Sequence, residues 1–311
     1  MGKKWVTRPG VILSVAIAVA VLWGSAYPGV KIGFSLWRIE TGDFASKILF
    51  AGTRFFLAGV MTIAFASLRE RRLIRPTRQE LPVLVALGLI LTSVQYFFYY
   101  IGLAHISASK GAILFSSGTF TAVLTAPLIV RGEQLTIRKV LGCLIGFVGV
   151  VVVNGSTQGR EGITLLGEGF IVIAAVSFGL GSTWSKVVSI HSSPTMVTGY
   201  QMLIGGALLC LAGPLVGGRL TPVEPGALLL LLYLSFLSAA AFSLWTMLLK
   251  YNDVGKVTVY NFLVPIFGTL LSGIFLHESV LTIRNLIALA LVCTGIVVVN
   301  CPSSRTKTLY Q

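Results

Sequence analysis

The sequence predicts an all-α integral membrane protein in which ten transmembrane helices form two inverted five-helix repeats, and three observations predict it. Of the 311 residues, 55 % are hydrophobic and only 11 % are charged, against roughly 45–50 % and about 25 % in soluble globular chains. The apolar residues gather into ten runs, most of them near the roughly 20 residues that a helix needs to cross a bilayer. The last two runs of each half also share one pattern of residues. The 24 Lys+Arg outnumber the 10 Asp+Glu, for a net charge of +14. These bases sit between the apolar runs, so they are topology signals and predict a lipid bilayer, not a nucleic acid, as the partner.

The runs fall at 10–33, 48–68, 81–104, 111–130, 140–154, 166–188, 195–217, 226–249, 257–277 and 284–300. The first follows Lys3, Lys4 and Arg8 and continues well past the length of a signal-peptide core, which makes it a retained helix. Between the second and third lies Arg69-Glu70-Arg71-Arg72-Leu73-Ile74-Arg75, a basic stop. If the runs alternate in direction, 16 Lys and Arg lie on the side of the amino terminus and 7 on the other, with Arg54 inside a run. That imbalance predicts a multi-pass protein of the cell (plasma or inner) membrane with both termini in the cytoplasm. Cys143, Cys210 and Cys293 fall inside apolar runs and no CxxC pair occurs. They predict thiols buried in the membrane, with no disulfide, metal site or cofactor.

The fourth and fifth runs read Lys110-Gly111-Ala112-Ile113-Leu114, Gly132-Glu133, Thr136-Ile137-Arg138 and Val151-Val152-Val153-Asn154. The ninth and tenth read Lys256-Val257-Thr258-Val259-Tyr260, His277-Glu278, Thr282-Ile283-Arg284 and Val297-Val298-Val299-Asn300, an offset of 146 with a one-residue slip at the glutamate. Earlier segments match more weakly, as Trp23-Gly24 with Phe178-Gly179 and Phe56-Leu57-Ala58-Gly59 with Leu203-Ile204-Gly205-Gly206. The chain therefore divides into a first repeat, 1–158, and a second, 159–311. Five is odd, so the second copy enters the membrane from the opposite side. Exchanging the conformations of two inverted copies turns an outward-open molecule into an inward-open one.

Trp23-Gly24-Ser25, Arg54-Phe55-Phe56, the stretch from Gly102 to Ala112, Gly132-Glu133, Pro265 and Glu278 together resemble the drug/metabolite transporter superfamily, in particular its EamA-type ten-helix members. The resemblance covers nearly the whole chain. It implies helices 1–4 and 6–9 around a central cavity, helices 5 and 10 at the periphery where a homodimer could form, and export of a small-molecule substrate. Two positions depart from the pattern: Thr119 stands where the second copy has Pro265, and Gln201 stands near the repeat position of Arg54.

Glycine and proline inside membrane helices free backbone groups that can line a cavity. Gly24, Pro28, Gly118, Gly179, Gly181 and Pro265 lie at related places in the two halves and are the candidate hinges. Trp23 with Tyr27, Gln95 with Tyr99, and Ser117 with Thr121 share helix faces at i, i+4 spacing. With Trp184, Tyr200, Trp245, Tyr260 and Asn261 they form a candidate substrate site in which rings bury an apolar body and dipoles orient a polar end. Tyr96 and Tyr100 read as an interfacial aromatic belt. Arg54 is expected about six residues, or roughly 9 Å, inside the outer end of helix 2; a cation there is a functional candidate for holding a carboxylate or phosphate.

No carboxylate falls at the middle of a run, which disfavours a proton-coupled drug or cation exporter built on a buried acid. An intramembrane enzyme is disfavoured because HExxH and GxSxG are absent and Ser107-Ala108-Ser109-Lys110 lacks companion motifs. A channel would show pore-lining rings or a selectivity filter. The expectation is a non-enzymatic secondary transporter of amino acids or related zwitterions and anions.

Overall fold

The computed structural model describes residues 5–154, 164–221, 224–277 and 282–300, and among these there is no strand. Its helices are α1 (Pro9–Leu36), α2 (Phe44–Glu70), α3 (Leu81–His105), α4 (Ala108–Phe115), α5 (Gly118–Ile129), α6 (Ile137–Asn154), α7 (Leu165–His191), α8 (Pro194–Leu215), α9 (Ala227–Tyr251), α10 (Val254–Leu276) and α11 (Ile283–Asn300). Among the described residues, 7 of them are long and apolar enough to cross a membrane: α1, α2, α3, α7, α8, α9 and α10. The apolar stretches of α5 and α11 are shorter. Cys143, Cys210 and Cys293 are free thiols, and Cys301 lies outside the described residues.

Local chemistry sets the boundaries. Proline occupies the first turn of α1, α3 and α8, where its missing N–H costs nothing. The Asp43 carboxylate caps α2 by accepting from the Ser46 N–H at 2.9 Å, and Asp253 caps α10 from the Lys256 N–H at 3.0 Å. Arg71 closes α2 in the left-handed conformation at φ 52°.

Hydrogen bonds between the connections define two ends of the bundle. At one end Tyr200 donates to the Ile74 carbonyl, Lys250 to the Ser192 carbonyl and Asn252 to the Val6 carbonyl. At the other Arg38 pairs with Glu224, and the Arg219 N–H donates to Ser46. We call these the Val6 end and the Glu224 end.

The helices that pack together come from opposite halves of the sequence. α2 lies along α8 and α6 along α11, while α1 contacts α9 and α10 and α7 contacts α3 and α5. The last four contacts map onto one another when each helix is replaced by its sequence counterpart. Glycines mark the same relation at atomic scale. A Cβ on Gly24 would come within 2.7 Å of the Phe267 Cβ and 2.8 Å of the Gly268 N, and one on Gly179 within 2.6 Å of the Thr121 Cβ and 2.8 Å of the Ala122 N. Phe267 and Gly268 are the positions 146 residues after Thr121 and Ala122.

Four helical paths among the described residues are irregular, one of them α7, which opens with a π turn over Leu165–Gly169. In α3 the segment Leu89–Val94 is a π turn, and its departure from α geometry is met by side chains of neighbours: Ser177 donates to the Ile90 carbonyl at 2.7 Å and Thr92 to the Gln201 side chain at 2.7 Å. The path of α4 and α5 breaks at Ser116–Ser117, and α10 tightens to a 3-10 turn over Val259–Phe262. The missing proline at Thr119 has a visible substitute, because the Thr119 hydroxyl donates across to the Thr258 carbonyl at 3.2 Å.

Candidate functional site

The first element of the site is Arg54. Because Asp43 caps α2 and starts it at Phe44, Arg54 lies ten residues from that end, about 15 Å at a rise of ~1.5 Å per residue. It is thus near the middle of α2, deeper than an apolar run starting at 48 suggests. Its side chain is buried. Nε donates to the Leu234 carbonyl at 3.1 Å and the Ser238 hydroxyl at 2.9 Å, and Nη1 donates to the Tyr100 hydroxyl at 2.8 Å. Nη2 donates to nothing among the described residues, and no carboxylate touches the group. The guanidinium also lies 5.0 Å from the Phe55 ring, a cation–π distance.

Ser238 and Thr92 are 146 residues apart; the side-chain oxygen of Gln201, near the repeat position of Arg54, accepts from the Thr92 hydroxyl, whereas Arg54 donates to that of Ser238. The contact recurs in both halves, whereas the charge occurs in one.

Around Arg54 is a cavity of about 30 Å³, lined by Trp23, Ala26, Tyr27, Arg54, Tyr96, Tyr99, Phe115, Phe178, Phe242, Asn261 and Val264. That volume holds a water and not a metabolite. The rings meet mostly edge to face: Trp23 lies 5.6 Å from Phe178, 5.2 Å from Phe242 and 5.1 Å from Trp245, and Tyr27 lies 5.9 Å from Tyr99. Pro28 and Pro265 cannot donate to the carbonyls of Gly24 and Asn261, four residues earlier, and the Asn261 carbonyl accepts from the Leu263 N–H instead.

Of the side chains singled out from sequence, Trp23, Tyr27, Arg54, Tyr99 and Asn261 line this cavity. Trp245 is buried behind Trp23, and Gln95 is buried just before Tyr96. Ser117 sits at the break between α4 and α5, Trp184 packs half-buried at the edge of the core, and Tyr260 lies half-buried in the 3-10 turn. Tyr200 is drawn to the Val6 end by its bond to Ile74. Gly24, Pro28, Gly118, Gly179, Gly181 and Pro265 are all buried in helix contacts.

Tyr96 and Tyr100 correct the aromatic-belt expectation: both are buried, Tyr96 on the cavity wall and Tyr100 as the acceptor for Arg54. The signal for them was the four-residue spacing they share. Phe115, Phe178 and Phe242 carry no polar atom and gave no such signal.

Two charged clusters flank the site. At the Val6 end the Glu133 carboxylate, nearly fully buried, accepts from Lys186 at 2.9 Å, Lys139 at 3.3 Å and the Val254 N–H at 2.6 Å, and Lys139 also reaches Asp253 at 3.0 Å. At the other end Lys110 pairs with Glu168, whose second oxygen accepts from Thr164. Lys110 is therefore engaged in an ion pair, while its repeat mate Lys256 is exposed. The Lys110 N–H donates to the Ser107 hydroxyl at 3.2 Å, so the Ser-x-x-Lys sequence serves as a helix start. Among the described residues no cluster of His, Cys, Asp and Glu is arranged to hold a metal.

Comparison with known proteins converges on transport. The uncharacterized transporter YvbV of Bacillus subtilis (strain 168) is 26 % identical over 97 % of this chain and 94 % of its own length. The uncharacterized inner membrane transporter YedA of Escherichia coli (strain K12) is 25 % identical over 93 % and 90 %. A solved structure shares the fold with a TM-score of 0.77 at 22 % identity, covering 97 % of this chain and 100 % of its own. With the EamA-like transporter family matching residues 10–155 and again 165–301, the chain belongs to that family and is a multi-pass membrane protein.

Proposed function

We propose that the chain is a non-enzymatic secondary transporter of small amphiphilic metabolites, amino acids or related zwitterions and anions, that exports them by alternating access. The observation that carries it is a buried guanidinium with unspent N–H groups, set near the middle of α2 in the wall of an aromatic cavity. A charge held at that depth without a counter-charge is costly unless it serves a passing solute.

In this proposal α4 with α5 forms the fourth span, α6 the fifth and α11 the tenth, which completes ten helices as two inverted repeats of five. The mirrored contacts of α1 and α7 support that arrangement. The Val6 end, rich in basic residues, faces the cytoplasm together with both termini. The halves rock about the close contacts at Gly24 and Gly179, and the present cavity is closed around its own rings. Opening toward the cytoplasm breaks the Glu133 cluster; opening the other way breaks the Lys110–Glu168 pair.

The test is counterflow in proteoliposomes with labelled amino acids, phosphorylated metabolites and organic cations, with and without a pH gradient. Trans-accelerated uptake of zwitterions or anions without a gradient is expected. Flux of cations only, driven by a pH gradient, or no flux at all would overturn the proposal.

A further inference from the structure

We infer that the solute is an organic monoanion, a carboxylate on a flat apolar body, in preference to a zwitterionic α-amino acid. This rests on the transport reading above and narrows its substrate class.

The charges around the cavity are one-sided. Arg54 presents Nη2 with no acceptor, and a carboxylate is the group whose geometry matches a free guanidinium edge. Among the described residues no carboxylate lines the cavity. The described acids lie at the helix ends: Glu133 and Asp253 with lysines, Glu168 with Lys110, Glu224 with Arg38, Glu70 with Arg72, Glu80 with Thr77 and Ser192, Asp43 at the cap of α2, and Glu40 exposed before it.

An α-ammonium sits one carbon from its own carboxylate, so a zwitterion bound through Arg54 would bring a second cation beside the first. It would also bring three N–H donors that need acceptors. The acceptors on hand are neutral: the hydroxyls of Tyr27, Tyr96 and Tyr99 and the Asn261 amide. Repulsion between like charges is strengthened where water is excluded. A simple carboxylic acid keeps the favourable pairing and avoids the repulsion.

The apolar part of the solute is specified by the wall. Trp23, Phe115, Phe178 and Phe242 offer faces and edges for a ring, and rings meet one another best in offset or edge-on contact. Trp23 also has a buried indole N–H without an acceptor. It is a second donor with nothing to donate to, beside a cavity whose one charge is positive. Both features favour a solute that brings acceptors over one that brings donors.

Four compounds that share one phenylethyl frame test this on the full-length protein: 3-phenylpropanoate, 3-phenylpropanamide, phenylalanine and phenethylamine. Binding is read by thermal stabilisation in detergent, and flux by counterflow in proteoliposomes against protein-free vesicles. The acid is expected to bind at least ten times more tightly than either the amide or phenylalanine, with the amine weakest. Arg54→Gln should bring the acid to the level of the amide. Tyr100→Phe, which keeps the guanidinium and loosens its hold, should weaken the acid several-fold and keep the order.

Phenylalanine binding as tightly as the acid, or an amide equal to it on the unmodified protein, overturns the assignment even if Arg54→Gln fails to fold. Phenylalanine binding more tightly and also showing counterflow would overturn the anion while leaving the transport reading intact. The predicted binding order with no counterflow of any compound would leave the site and remove transport. Absence of binding by all four overturns the inference.

Discussion

At the scale of single residues, the site depends on how a membrane protein holds a charge. Arg54 is kept by a carbonyl, a serine and a tyrosine, all neutral, so its charge remains available. Tyr100→Phe removes a hydrogen bond to an ionised group, a loss of about 1.5–3 kcal/mol, and thermal unfolding in detergent should show it. Glu80 offers a pH test outside the membrane. Hydrogen bonds from Ser192 and from the Thr77 backbone and hydroxyl hold its carboxyl below the ordinary carboxylate range. The stabilisation is complete above an unfolded pKa of about 4.3 and is lost as pH falls through the lower folded value. The difference in Tm between the parent and Glu80→Gln should be constant above about pH 5 and shrink toward pH 3; a constant difference across the range would contradict this assignment.

At the scale of elements, the irregular helices are where the two halves exchange hydrogen bonds. The Thr119 N–H donates to the Ser116 carbonyl at 3.0 Å and its hydroxyl to Thr258. Thr119→Pro, which would make the first copy match the second, removes both and should cost about 2 kcal/mol; unchanged unfolding would show that neither bond contributes. Gly179 is tighter still, because a methyl there meets the Gly118 carbonyl at 2.5 Å. Gly179→Ala should therefore cost about 1–3 kcal/mol by overpacking. Under the proposed rocking motion it should also slow counterflow more than it weakens substrate binding.

At the scale of the whole molecule, the Glu133 cluster ties the connection between α5 and α6 to the end of α7 and the start of α10. Glu133→Gln leaves Lys186 and Lys139 partly uncompensated in a buried place and should cost about 3–5 kcal/mol. It should also bias the bundle toward opening at the Val6 end. A cysteine introduced by Asn261→Cys, in a background without the native thiols, should then be alkylated faster from that side. Equal rates in the two backgrounds would mean that the cluster is a staple and not a latch.

Membrane class, most spans, the offset of 146 and the depth of Arg54 were all legible in the linear order of residues. Apolar length, helix spacing and the cost of a buried charge are properties of a segment and need no partner. Which residues meet around Arg54 was not legible in that way. Five of the singled-out side chains line the cavity, but Tyr200 is pulled to one end by a distant carbonyl and Tyr100 turns inward to an arginine. A tyrosine on a membrane helix has the same local sequence whether it faces lipid, core or cavity; the neighbour supplied by another helix decides. The sequence by itself determined a membrane chain with a repeated pattern and one deep cation. Only the tertiary structure decided that this cation stands free of carboxylates inside a ring of aromatics, because that depends on contacts between residues about 180 positions apart.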